Sequence, residues 1–195
     1  MPRIEPITGT PSDPLVLELL AAGERDGTPD ERMIRVFARS EIGARWIDFC
    51  HMVFTEGLLP NTLKELIRIR MSVAEECGYC SSLRSKRAEA EGLSEEIVMQ
   101  MVDLDNAPDL SPAFKAALRY SDLYKHGAAD SDEAFDDLRK HFSDEEIIEL
   151  GVLCSVLAGG GQFAKSLQVL SWEQACEVRP TLTTLLASTT DAVPA

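Results

Sequence analysis

The sequence predicts an all-α protein. Apolar residues return at the i, i+3, i+4, i+7 spacing of a helix face through most of its 195 residues, and Ser, Thr or Asp caps head most of those runs. No stretch alternates apolar and polar residues over the length of a strand. Apolar residues make up 45% and charged residues 27%, which suits one domain with a real core. The net charge of -14 argues against a nucleic-acid partner, whose phosphates call for basic patches. Its acidic residues are spread along helical patterns, as solvated faces are.

Residues 1–12 are rich in proline and read as an extended, surface-hugging arm, followed by a helical domain over 13–178 and a C-terminal tail over 179–195. The arm carries no apolar core of a secretory signal, and no run of apolar residues is long enough to span a membrane. Asp13 and Pro14 open the first helix, and Gly23 and Gly27 close it. Thr28 and Pro29 open the second, with Met33, Val36 and Phe37 on one face. Ser40 caps a third, whose apolar face is Ile42, Trp46, Phe49, Val53 and Phe54.

Thr62 with Glu65 reads as a capping box for a helix from Leu63 to about Glu76 that buries Leu66, Ile67, Met71, Val73 and Ala74. A helix begun at the cysteine pair runs to Glu91 and stops at Gly92. Ser94, Ser111, Ser131 and Ser143 cap the helices that follow, giving about eight in all. Lys64 to Ile67 resembles Glu145 to Ile148, which suggests a repeated helix–turn–helix whose second copy turns at Gly159-Gly160-Gly161. Without a preceding strand or a lysine, those glycines read as a tight helix connection and not as a phosphate loop.

The chemistry concentrates at Cys77-Gly78-Tyr79-Cys80. A helix N-terminus stabilises a thiolate, and two cysteines so placed can cycle between dithiol and disulfide. A zinc site needs about two more ligands, and His51, His126 and His141 lack ligand spacing, so redox chemistry is favoured over metal. Two merely buried cysteines remain the plain structural reading. The odd set of Cys50, Cys77, Cys80, Cys154 and Cys176 fits a reducing, cytoplasmic setting. Cys50 and His51, adjacent on a helix, do not face the same way. Cys154 and Cys176 read as bystanders, and Trp46, Phe49, Met52 and Phe54 as core before pocket.

Leu63 to Arg68, the Cys77 to Cys80 turn and Glu91 to Ile97 together resemble the carboxymuconolactone decarboxylase superfamily, in its alkylhydroperoxidase D-like (AhpD-like) branch. Pro2 to Pro6, Leu118 to Asp122 and Phe142 to Leu150 extend the resemblance over nearly the whole chain. It implies an all-helical fold that assembles as a trimer or hexamer, with Cys77, Cys80 and Glu65 catalytic and no cofactor. At the two positions where such peroxidases carry relay histidines, this chain has Tyr79 and Arg84.

An arginine cannot serve as a general base. Arg84 is left to stabilise a Cys80 thiolate or to pair with Glu65, and Tyr79 to donate to a bound oxidant. Along one straight helix Glu65 and Cys77 would lie about 18 Å apart, so only a returning helix or a neighbouring subunit closes the gap. The expected function is peroxide reduction, weakened by Arg84, with a lipoylated or thioredoxin-like dithiol protein as reductant. A decarboxylase, isomerase or lyase is the alternative. There Arg68, Arg70 or Arg84 clamps a small acid and the thiols are incidental. A non-catalytic binding or assembly subunit is a third reading.

Overall fold

The computed structural model describes residues 2–190, and among them every regular element is helical. The helices are α1 (Pro14–Asp26), α2 (Glu31–Phe37), α3 (Glu41–Thr55), α4 (Asn61–Ala74), α5 (Gly78–Ser82), α6 (Lys86–Ala90) and α7 (Glu95–Met99). After a 3-10 turn at Gln100–Val102 come α8 (Pro112–Lys125), α9 (Asp132–Arg139), α10 (Asp144–Leu167), α11 (Trp172–Val178) and α12 (Thr181–Thr190). Side-chain oxygens of Asp13, Ser40, Ser94, Ser111, Ser131 and Ser143 accept the expected backbone N–H groups at their helix starts.

Helix α4 is the axis of the molecule. Every residue from Leu63 to Val73 is buried, because α5, α6, α8, α10 and α12 all pack on it. A helix buried all round is ordinarily apolar, yet this one carries Lys64, Glu65, Arg68 and Arg70. Each of the three cations is matched. Lys64 Nζ lies 2.6 Å from Glu149 Oε1 and donates to the Val53 and Glu56 carbonyls. Arg70 forks onto Asp122 at 2.7 and 2.8 Å and donates to the Met101 carbonyl. Arg68 pairs with Glu65. A charge sealed from water requires such complete pairing.

Several boundaries differ from the sequence reading. Thr62 and Glu65 form no capping box: Glu65 is buried, and Glu91, from the end of α6, accepts from the Asn61 side chain and the Thr62 N–H instead. Asp30, not Thr28, caps α2. The helix after the cysteines breaks at Leu83-Arg84-Ser85 into α5 and α6. Helix α10 passes through Gly159-Gly160-Gly161 without turning, so the region that resembled α4 is not a second helix–turn–helix. Where a tail was expected, α12 forms and buries Leu182 and Leu185; residues 191–195 lie outside the described residues.

The N-terminal arm hugs the surface, with Arg3 N–H donating to the Leu167 carbonyl and Arg35 and Arg39 donating to carbonyls of Gly9 and Glu5. By length and composition α10 is apolar enough to cross a membrane, but here it packs against α3, α4, α5 and α8. Two apolar clusters result. The larger surrounds α4, and the smaller joins α1, α2 and α3 to the end of α10 and includes Cys77 and Tyr79.

Candidate functional site around Cys77 and Cys80

The cysteine turn is built by the way α4 ends. Glu76 takes a left-handed conformation, with φ of 52°, and Cys77 N–H reaches back to the Ser72 carbonyl at 3.0 Å. That closes the helix in a Schellman-like turn and leaves Cys77 extended, as the N-cap of α5. Cys77 Sγ accepts from the Cys80 N–H at 3.3 Å and lies 2.7 Å from Cys80 Sγ, the two sulfurs being unbonded.

Gly78 has a specific task. A Cβ there would collide with the backbone carbonyls of Leu170 and Ser171 in the loop before α11. Gly78→Ala is therefore expected to force α5 off that loop at a cost of about 1–3 kcal/mol, the range for overpacking. Urea denaturation checks this; wild-type stability would mean that the loop yields freely.

The two thiols differ in exposure and in charge. Cys77 is fully buried, while Cys80 is partly accessible and lines a small cavity. The hydrogen bond from the Cys80 thiol pulls the Cys77 pKa below its ordinary value; burial opposes this, and the Cys80 N–H and Arg68 assist. Cys80 is held well above its ordinary value by the proton it gives to Cys77 and by burial, with Arg68 working against both. The two thiols are therefore unequal, Cys77 being the more readily ionised member of the pair.

Arg68 organises the floor of the site, a role the sequence reading missed. Its guanidinium forks onto Glu65 at 2.8 and 2.7 Å and donates to the carbonyls of Cys80 and Leu83. Glu65 also accepts the Ser85 N–H at 2.8 Å. The break between α5 and α6 is what frees these backbone groups, so α5 folds back and the Glu65–Arg68 pair reaches the thiol turn within one subunit. Burial alone would raise the Glu65 pKa, but the Arg68 charge and hydrogen bonds, with the Ser85 N–H, bring it below the usual carboxylate value. The signal for this pair was the i, i+3 spacing of Glu65 and Arg68.

Arg84 is placed elsewhere. It pairs with Glu95 at 2.7 Å and donates to the Ser81 and Leu83 carbonyls, and Arg179 shares the same Glu95 carboxylate. Neither the expected Arg84–Glu65 ion pair nor a direct Arg84–thiolate contact forms, because Arg68 already holds Glu65 from the same helix face. The Tyr79 hydroxyl is also engaged, donating to Asp30 Oδ1 at 2.8 Å and accepting the Asp30 N–H. It tethers the thiol turn to the start of α2, and its ring faces the cavity.

That cavity, about 90 Å³, has Cys80, Arg68, Ser72 and Thr28 among its polar lining and Met33, Trp46 and Phe54 among its apolar walls. Cys50 joins the wall while its neighbour His51 turns away to Asp26, 2.8 Å distant. Trp46 and Phe54 therefore do line a pocket, whereas Phe49 and Met52 lie on the outer surface.

Comparison with known proteins follows the same geometry. Residues 40–122 match the model of the carboxymuconolactone decarboxylase family. Two uncharacterized proteins of Mycobacterium tuberculosis, MT2376 and Rv2313c, are each 36% identical over 96 residues, covering 47% of this chain and 33% of theirs. The chain thus spans about one third of the length of these curated relatives. Among solved structures, the apo debrominase Bmp8 superposes with a TM-score of 0.74 at 20% identity, covering 94% of this chain and 97% of that one. A cysteine-to-alanine variant of Bmp8 holding 2,3,4-tribromopyrrole gives 0.73 at 16% identity, over 92% and 97% of the two chains.

ATU0492 of Agrobacterium tumefaciens, a protein of unknown function named for the antioxidant defence protein AhpD, gives 0.59 at 25% identity, over 69% of this chain and 93% of that one. The buried Glu65–Arg68 pair and the Cys77–Cys80 turn both lie within residues 40–122, the segment that matches the carboxymuconolactone decarboxylase family model, and the fold around them is similar to that of the AhpD-like protein ATU0492.

Proposed function

We propose that the protein is a thiol–disulfide oxidoreductase that reduces an organic peroxide, or a comparable apolar oxidant, through Cys77 and Cys80. The observation that carries this reading is the pair itself: two sulfurs 2.7 Å apart, one sealed and one opening on an apolar cavity.

In the reactive form proposed here the thiol pair holds a single proton. Its transfer from Cys80 to Cys77 across the short contact leaves a Cys80 thiolate facing the cavity, with the Arg68 charge favouring it. That thiolate attacks the distal peroxide oxygen. The O–O bond breaks, Cys80 becomes a sulfenic acid, and the leaving alkoxide takes the proton from Cys77. The Cys77 thiolate then attacks the Cys80 sulfur and expels hydroxide, closing the disulfide. A dithiol protein, lipoylated or thioredoxin-like, returns two electrons and two protons by thiol–disulfide exchange. No histidine is required for this sequence, since Cys77 serves as the proton carrier.

The lyase alternative relies on an arginine free to clamp a substrate carboxylate. Arg68, Arg70 and Arg84 are each engaged with a protein carboxylate and at least one backbone carbonyl, which favours the thiol reading. A second oxidant class has support in the Bmp8 complex with tribromopyrrole. Reducing an aryl bromide to the arene and bromide uses the same two electrons, and the aromatic wall of Trp46 and Phe54 suits such a ring. Exposed Leu58, Ile148 and Val178 are consistent with the homo-oligomer that the resemblance implies. A cytoplasmic, reducing location suits the unbonded cysteines.

Hydroperoxide consumption coupled to a dithiol reductant tests the proposal. One equivalent of peroxide should close Cys77 to Cys80, seen by mass after alkylation; neither consumption nor a disulfide would reject it. The pH dependence has a definite sign. A depressed Cys77 pKa means that the unfolded chain binds more protons there, so this group adds stability as pH rises between the folded and the ordinary value. Ultraviolet thiolate absorbance should accordingly persist below the ordinary cysteine range, and Cys80→Ala, which removes the donor, should shift it upward.

A further inference from the structure

The short helix that carries Cys80 is held at its far end by arginines from three places in the chain. The last carbonyls of any helix lack partners within it. On α5 the four from Cys80 to Leu83 all accept from guanidinium groups. Arg68 donates to Cys80 and Leu83, Arg84 to Ser81 and Leu83 at 2.7 and 2.6 Å, and Arg179 to Ser82. Two carboxylates aim the three cations: Glu65 holds Arg68, and Glu95 holds Arg84 at 2.7 Å and Arg179 at 3.0 Å. Gathering like charges is costly. Burial pushes the Arg84 pKa below its ordinary value, its Glu95 hydrogen bond opposes this, and the Arg68 and Arg179 charges add to it. At the other end of α5, Gly78 lies against the Leu170 and Ser171 carbonyls just ahead of α11. Helix α11 therefore braces the thiol turn at both ends, through its leading loop and through Arg179 at its close. Arg179 lies outside the segment that matches the family model.

Resting on the thiol–disulfide reading above, we propose that Arg179 is a positioning residue for the Cys77–Cys80 pair. It acts directly on the Ser82 carbonyl, and through Glu95 and Arg84 on those of Ser81 and Leu83. So held, α5 keeps Cys80 Sγ beside Cys77 Sγ and keeps Cys77 sealed. The planar fork of an arginine suits the task, because it reaches a carbonyl and a carboxylate together. Sulfurs fixed side by side act on each other at a high effective concentration, which favours the closed disulfide. The end of α11 thus sets the redox poise of a turn whose Ser82 lies 97 residues before it.

Equilibration with reduced and oxidised glutathione tests this. Oxidised glutathione takes two electrons and two protons from the dithiol, leaving two glutathione thiols and the Cys77–Cys80 disulfide. Alkylation followed by mass measurement reads the balance. Arg179→Ala is expected to disfavour the disulfide about tenfold, roughly 30 mV for a two-electron couple. Glu95→Ala should shift it in the same direction, and the double variant should fall well short of the product of the two effects, as partners in one network do. Leu138→Ala, in α9 where it packs toward α8 and α10, should lower stability and leave the balance untouched. An unchanged balance in Arg179→Ala, or an equal shift in Leu138→Ala, overturns the proposal. If wild type forms no disulfide, the redox reading fails on its own, and iodoacetamide then judges the clamp. Labelling of sealed Cys77, located by peptide mass, should run about tenfold faster in Arg179→Ala than in wild type or Leu138→Ala; equal rates overturn the proposal.

Discussion

Cys80→Ser is expected to lower hydroperoxide turnover by at least about 10³-fold, the scale on which removal of a nucleophile acts. Cys80 is the member of the pair that reaches the cavity, and no other thiol on the cavity wall is ready to replace it: burial pushes Cys50 up to about 12. Cys77→Ser separates the two roles. It should consume one equivalent of peroxide more slowly, for want of its proton carrier, and then stop at a Cys80 sulfenic acid, which a dimedone adduct detected by mass would reveal. Stopped-flow consumption with and without reductant measures both. Wild-type rates in Cys80→Ser would remove the thiol mechanism altogether.

Arg68→Met should destabilise the protein by about 3–5 kcal/mol, the cost of breaking a buried ion pair from one side. The substitution strands the Glu65 carboxylate and leaves the carbonyls of Cys80 and Leu83 without that donor. The sign of the pH dependence should reverse as well. In wild type the Glu65 pKa lies below its unfolded value, so its contribution is present above the ordinary carboxylate range and is lost as pH falls through the folded value. In Arg68→Met only burial acts strongly, the Glu65 pKa rises, and acidification recovers stability by neutralising the stranded acid. Urea denaturation from neutral to mildly acidic pH follows both slopes. Adding Glu65→Gln should restore part of the loss, because no buried charge then remains unpaired.

What was legible in the sequence is what is decided locally. Asp13, Ser40, Ser111 and Ser143 marked helix starts because a cap and its N–H partner lie within three residues. The nearness of Cys77 and Cys80 likewise follows from one turn of helix. What depends on distant partners was not legible. Lys64 and Arg70 on α4 resemble solvated residues until Glu149 and Asp122 arrive from other helices. Arg84, aligned with a histidine position of the family, belongs to Glu95 and Arg179 through the α7 and α11 corner. The three glycines suggested a turn because glycine disfavours helix, yet α10 is held straight by neighbours on both sides of them. Residues 179–195 read as a tail, yet Leu182 and Leu185 of α12 are buried, with α12 packed on α4 far away in sequence.

The unequal exposure of the two sulfurs also constrains traffic. With Cys77 sealed, a closed disulfide offers the outside only its Cys80 end. In the proposed cycle the oxidant that is consumed and the thiol that restores the enzyme must use the same doorway and attack the same atom. They cannot be bound productively at once, so the two half-reactions alternate, and an excess of either visitor slows the other.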